Sequence, residues 1–101
     1  MAMPLYLTWE KRSTIINKIA VSKKSVIIDV RKPADFAKGH AKGSRNIPLD
    51  ELEDRLGEVR KMEKEIIVVC GGGTRNKRAH ELLKQHGIDS TAGGSWKNYT
   101  A

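Results

Sequence analysis

The single cysteine of this 101-residue chain stands in a setting suited to a reactive sulfur. Cys70 closes the run "VVC", and Gly71, Gly72, Gly73, Thr74 and Arg75 follow at once. Consecutive glycines turn the backbone tightly and let several N–H groups point into one concavity. A helical pattern comes next, and the unpaired N–H groups of a first helical turn carry partial positive charge. An anion placed there is stabilised, and a thiol at its rim has its thiolate form favoured. The chemistry of such a cradle is attack by a sulfur anion. Cys70 is the candidate nucleophile, and Gly71, Gly72, Gly73, Thr74 and Arg75 are the candidate substrate-binding loop.

Neighbouring residues refine that reading. Arg75 carries a fixed guanidinium fork, suited to orient loop carbonyls or an oxyanion of the substrate. Lys77 and Arg78 lie further into the helix and act at a distance. Asn76 is placed to cap the helix, its side-chain oxygen accepting a backbone N–H. The competing reading is an inert cysteine at a strand end, since free cysteine is commonly buried as a small hydrophobe. Known phosphate loops do not fit. In G-x-G-x-x-G, Gly71 and Gly73 match but Asn76 takes the third glycine's place, and no Gly-Lys-Ser/Thr ending is present.

The elements that must hold the loop alternate between strand and helix. "SVIIDV" (25–30) and "EIIVVC" (65–70) are short, β-branched and without polar alternation, as in strands covered on both faces. Helical spacing places Ile15, Ile16, Ile19 and Ala20 on one stripe over 9–21. It does the same for Leu49, Leu52, Leu56 and Val59 over 49–60, with Asp50 as a candidate cap. A third stripe, over 76–86, carries Ala79, Leu82, Leu83 and His86, and Gly87 supplies the stop. Pro33 suits the first turn of a short helix over 33–39. Residues 87–94 read as a last short strand and turn. This alternation predicts an α/β fold with a mostly parallel sheet. Ligands of such sheets bind beyond the carboxyl ends of the strands, where Cys70 falls.

Composition narrows the function classes. A chain of this length, 39% hydrophobic and 31% charged, suits one compact domain spanning residues 1–101. A formal net charge of +7 favours anionic partners. Nucleic acid is not expected among them, because the five aromatic residues are not interleaved with basic ones. One cysteine excludes an internal disulfide framework and suits a reducing compartment. Neither a secretory signal nor an apolar run of membrane-spanning length is read, so the expectation is a cytoplasmic protein without membrane association. No Cys/His spacing points to a metal, and no cofactor is expected.

Taken in order, these motifs resemble the single-domain rhodaneses, persulfide-forming sulfurtransferases, over about residues 25–96. Asp29 and Arg31 match the family's Asp-x-Arg. Phe36, Gly39, His40, Gly43, Asn46, Ile47 and Pro48 match its Gly-His and Asn-Ile-Pro signature. "IVVCGGGTRN" (67–76) is similar to its active-site strand and loop, and "GGSW" (93–96) to its closing Gly-Gly and tryptophan. The resemblance implies a five-stranded, mainly parallel sheet with helices on both faces. It implies Cys70 as the sulfur-accepting nucleophile and Gly71 to Arg75 as its cradle. The implied partners are a small anionic sulfur donor, thiosulfate-like or a persulfide, and a thiol, cyanide or protein acceptor. One alternative is a module that carries sulfur from protein to protein. Another is a phosphatase or arsenate reductase on the same fold. That class uses Cys-x5-Arg to hold a tetrahedral oxyanion, whereas Cys70 and Arg75 form the shorter Cys-x4-Arg. His40 reads as a structural turn residue, and Asp29 with Arg31 as a tie between strand end and loop. His86 reads as complementing the dipole of its helix.

Overall fold

The computed structural model describes residues 25–62 and 64–100. The helix expected over 9–21 lies outside the described residues. Four strands form the sheet among those residues, where the resemblance implies five: β1 (Ser25–Asp29), β2 (Arg45–Asn46), β3 (Glu65–Cys70) and β4 (Thr91–Ser95). Their order is β2-β1-β3-β4, and every pairing is parallel. Asp29 lies opposite Val69 and Cys70 opposite Ser95, so the carboxyl ends of β1, β3 and β4 reach one edge together.

Helices supply the crossovers that parallel strands require. α1 (Pro33–Lys38) starts at the expected proline, and α4 (Arg75–Gln85) joins β3 to β4. The single helix expected over 49–60 is instead broken into α2 (Leu49–Leu52), a 3-10 turn (Glu53–Arg55) and α3 (Leu56–Lys61). Arg55, at φ −117° and ψ 22°, leaves the helical region and interrupts the ladder. Nor does Asp50 cap it. Pro48 holds the cap position, and the Leu49 N–H donates to the Val30 carbonyl at 3.1 Å, tying the helix start to the end of β1. A second 3-10 turn (Trp96–Tyr99) follows β4.

Strand residues alternate between two buried faces, as the pleat requires. Val26, Ile28, Ile66, Val68 and Cys70 pack with Leu52, Leu56, Val59, Ala79 and Leu83. Ile27, Ile67 and Val69 pack on the opposite face with Ala41, Trp96 and Tyr99. Cover on both faces explains why neither central strand shows polar alternation. Gly93 lets β4 approach β3 closely, for a Cβ there would lie 2.7 Å from Ile67 Cγ2 and 3.1 Å from the Val68 carbonyl.

Candidate active site

At the end of β1, Asp29 is fully buried and Arg31 is 7% exposed. Buried charges must be paired and hydrogen-bonded, and this pair is. The backbone N–H and Nε of Arg31 each donate to Asp29 Oδ1 at 3.0 Å, and Nη2 donates to Oδ2 at 2.8 Å. Nη2 also reaches the Gly39 carbonyl at 2.7 Å. The guanidinium lies 4.6 Å from the centre of the Trp96 ring. Asn46 closes the corner by donating to the carbonyls of Asp29 and Arg31, both at 2.9 Å. Arg31 also backs the glycine loop, since a Cβ on Gly71 would lie 3.8 Å from its Cδ.

One strand over, Cys70 is 1% exposed and ends β3 beneath residues 71–75. Asn76 Nδ2 donates to Cys70 Sγ at 3.0 Å and to the Gly73 carbonyl at 3.1 Å. The Sγ itself lies 3.6 Å from that carbonyl. Asn76 Oδ1 accepts from the Gly94 N–H at 3.3 Å, which joins the sulfur to β4. Asn76 is therefore not the helix cap that its position suggests. α4 begins one residue earlier than expected, at Arg75, so Asn76 is already inside the helix and buried. Thr74 takes the cap position without a side-chain bond, and its carbonyl accepts from Lys77 and Arg78 N–H at 3.1 Å.

These groups act on the sulfur in opposite directions. Burial pushes the Cys70 thiol up. The Asn76 side-chain amide and the backbone N–H groups of Gly72, Asn76 and Gly73 pull it down, and the thiol ends below its ordinary value. Gly72 has φ +116°, a backbone state that glycine alone adopts freely. All five residues from Gly71 to Arg75 are exposed, so the loop roofs the sulfur on the solvent side.

Arg75 departs from its expected contacts. Among the described residues it forms no hydrogen bond or ion pair, and it is Asn76 that holds the loop carbonyl of Gly73. The Arg75 side chain lines a groove of about 360 Å³ with Val30, Lys32, Pro48, Leu49 and Asp50. Lys77 and Arg78 line a separate groove of about 350 Å³ along α4. His40 stacks on Phe36 with ring centres 3.8 Å apart, its Nδ1 2.8 Å from the Phe36 carbonyl, as a turn residue would. His86 Nε2 lies 3.8 Å from Glu53 Oε2, a side-chain partner that helix-dipole reasoning missed. The residues sequence reasoning did not connect to the sulfur are Asn76 and Gly94. Placing the helix start at Arg75 would have turned Asn76 back toward Cys70.

The profile of the family described as "Rhodanese-like domain" matches residues 14–100. The chain belongs to the rhodanese-like domain family. Its relatives include an uncharacterized protein, YqhL, of Bacillus subtilis strain 168. That protein is 40% identical over 65 residues, which are 64% of this chain and 51% of YqhL. They also include the thiosulfate sulfurtransferase PspE of Escherichia coli K12, 33% identical over 66% of this chain and 67% of that protein. The chain thus spans about half the length of YqhL and two thirds of PspE. Among solved structures, a rhodanese-like domain protein from Staphylococcus aureus superposes with a TM-score of 0.70. The two are 30% identical over 86% of this chain and 84% of that one. The rhodanese-like fold and its sulfurtransferase relatives agree with the parallel α/β architecture. Among the described residues, no helix is long and apolar enough to cross a membrane.

Proposed function

We propose that this rhodanese-like domain is a sulfurtransferase that carries a sulfane sulfur as a persulfide on Cys70. The observation that carries the reading is a lone thiol at the end of β3, surrounded by N–H donors that favour its thiolate. The Cys70 thiolate attacks the outer sulfur of a donor such as thiosulfate. The Sγ–S bond forms, the sulfur–sulfur bond of the donor breaks, and sulfite leaves with the bonding pair. Cyanide or a thiolate then attacks the outer sulfur of the persulfide. Its bond to Sγ breaks, and the Cys70 thiolate returns. The loop N–H groups stabilise the persulfide anion and the charge that develops on the way to it. The six residues from Cys70 to Arg75 make a cradle sized for one sulfur, shorter than the seven that hold a tetrahedral oxyanion. The name of the relative PspE supports thiosulfate as a donor.

Access sets a condition. At 1% exposure the sulfur lies beneath residues 71–74, and a donor must reach it past that loop while the loop keeps its N–H groups on the sulfur. Arg75 and Lys32, in the adjoining groove, draw in an anionic donor. The cytoplasm, a reducing compartment, keeps such a thiol free. Intact-mass measurement tests the reading. Thiosulfate or a small persulfide adds the mass of one sulfur, cyanide or a thiol removes it, and Cys70→Ser gains none. A serine variant that gains sulfur as fast as the parent, or a parent that gains none from either donor, overturns it. A persulfide that only a protein acceptor drains makes the domain a sulfur carrier.

A further inference from the structure

We infer that the side-chain amide of Asn76 is a catalytic hydrogen-bond donor to the Cys70 sulfur, locked in that orientation by the loop on one side and by β4 on the other. The inference rests on the sulfurtransfer reading for the step it assists, but not for the hydrogen bond itself.

The orientation follows from the partners. The Gly73 carbonyl can only accept and the Gly94 N–H can only donate. The atom facing Gly73 at 3.1 Å is therefore the amide nitrogen, and the atom facing Gly94 at 3.3 Å is the amide oxygen. Turning the amide over would break both bonds and set oxygen against oxygen. The group 3.0 Å from Sγ is consequently an N–H. Its two hydrogens serve the sulfur and the Gly73 carbonyl, and the amide has no donor left over. Asn76 is 2% exposed, so water does not compete for these bonds.

That inventory fits a sulfur that changes charge. In the thiol form the S–H points at the Gly73 carbonyl, 3.6 Å away, while Asn76 donates to a sulfur lone pair. Loss of the proton leaves a carbonyl oxygen facing an anion. The second Asn76 hydrogen stays on that carbonyl and offsets its partial negative charge, while the first strengthens its bond to the thiolate. In the second step the acceptor forms its bond to the outer sulfur, the Sγ–S bond breaks, and the electron pair returns to Sγ beside the same N–H. Asn76 thus stabilises Cys70 both as the attacking group and as the leaving group.

Two measurements on the whole chain test this. Asn76→Asp keeps the size and the acceptor for Gly94 but replaces the donor with a carboxylate. The pH midpoint of Cys70 alkylation by iodoacetamide should rise by about one unit or more. Sulfuration at neutral pH should slow about ten-fold or more and recover as pH is raised above the new midpoint, since one unit is a factor of ten in thiolate. An unchanged midpoint in a folded variant overturns the inference. The second measurement needs no variant. In nitrogen-15 spectra of the parent protein, the Asn76 side-chain amide protons should shift with the Cys70 ionisation, and those of Asn98 should not. Asn76 protons that ignore that ionisation overturn the inference even if the variant fails to fold. The alkylation midpoint and the amide shifts are both read on the protein without a sulfur donor. A donor bond that holds while no persulfide forms therefore refutes sulfur transfer alone.

Discussion

Asp29 at the end of β1 and Cys70 at the end of β3 are both buried, one strand apart, and each is held by a side chain a few residues downstream. Their partners differ in kind. Asp29 meets the full charge of Arg31 and is matched on both oxygens. Cys70 meets the neutral amide of Asn76, and its other neighbours are loop groups that glycines can move. Saturation by a buried charge makes a fixed corner. A neutral donor stabilises a thiolate without sealing it in an ion pair, and it preserves nucleophilicity, which declines as a thiol's pKa falls. The strand end proposed to react is thus the one held more weakly.

The largest expected effect breaks the fixed corner. Asp29→Ala leaves the Arg31 guanidinium buried without its carboxylate, which should lower the unfolding free energy by about 3–5 kcal/mol. Urea denaturation measures it. The comparison also requires that Cys70 alkylation in the protein still folded keep its pH midpoint, because Asn76 and the loop N–H groups remain. A midpoint that moves with the corner makes the two strand ends one site.

Gly93→Ala comes next and probes the link through β4. The added carbon would sit 2.7 Å from Ile67 Cγ2 and 2.9 Å from Tyr99 Oη, so β4 must back away from β3. Overpacking of this kind costs about 1–3 kcal/mol, readable by thermal melting. Moving β4 also moves the Gly94 N–H that fixes Asn76, so the alkylation midpoint should rise as stability falls. Stability lost with no change in the midpoint would detach β4 from the sulfur.

Much of this contrast is legible in the sequence, and the reason differs from residue to residue. Asp29 and Arg31 are readable because a charged pair ending an apolar strand has few outlets other than each other. Cys70 and its glycines are readable because φ +116° at Gly72 is a backbone need that only glycine meets cheaply. Asn76 is not, because an asparagine before a helical stripe looks like a cap, and a one-residue change in the helix start reverses its role. The break at Arg55 is hidden too, since Leu49, Leu52, Leu56 and Val59 keep helical spacing across it. The last strand is expected within 87–94 and runs Thr91–Ser95, where Gly93 fits against β3 although "TAGGS" is poor in strand formers.

Gly72→Ala should have a smaller effect, confined to the movable end. No heavy atom lies within reach of an added Cβ, so the penalty is the backbone strain at φ +116° alone, about 1–2 kcal/mol. The strain relaxes by turning the Gly72 N–H away from the sulfur. Sulfuration by thiosulfate should slow while the fixed corner stays intact, with the Trp96 fluorescence, read in a Trp9→Phe background, unchanged. A change in that fluorescence would show that the loop and the Arg31 corner move together.

The smallest effect belongs to Arg75. A guanidinium fork at the loop end suggests strong orientation of carbonyls, but the side chain is exposed and Asn76 performs that task. What remains is an exposed charge beside Lys32 in the groove next to the loop. Exposed pairs contribute about 0.2–1 kcal/mol, which is at most about a five-fold change in rate. Arg75→Ala should therefore slow sulfuration by thiosulfate about two- to five-fold at low salt, with the deficit fading as salt screens the charge. A neutral persulfide donor should react almost as before. The double variant Lys77→Ala with Arg78→Ala should lose less, because those side chains line a different groove. A deficit for Arg75→Ala that survives high salt and extends to the neutral donor would show a bond to the reacting sulfur. Arg75 would then be a second partner of the Cys70 strand end, beside Asn76.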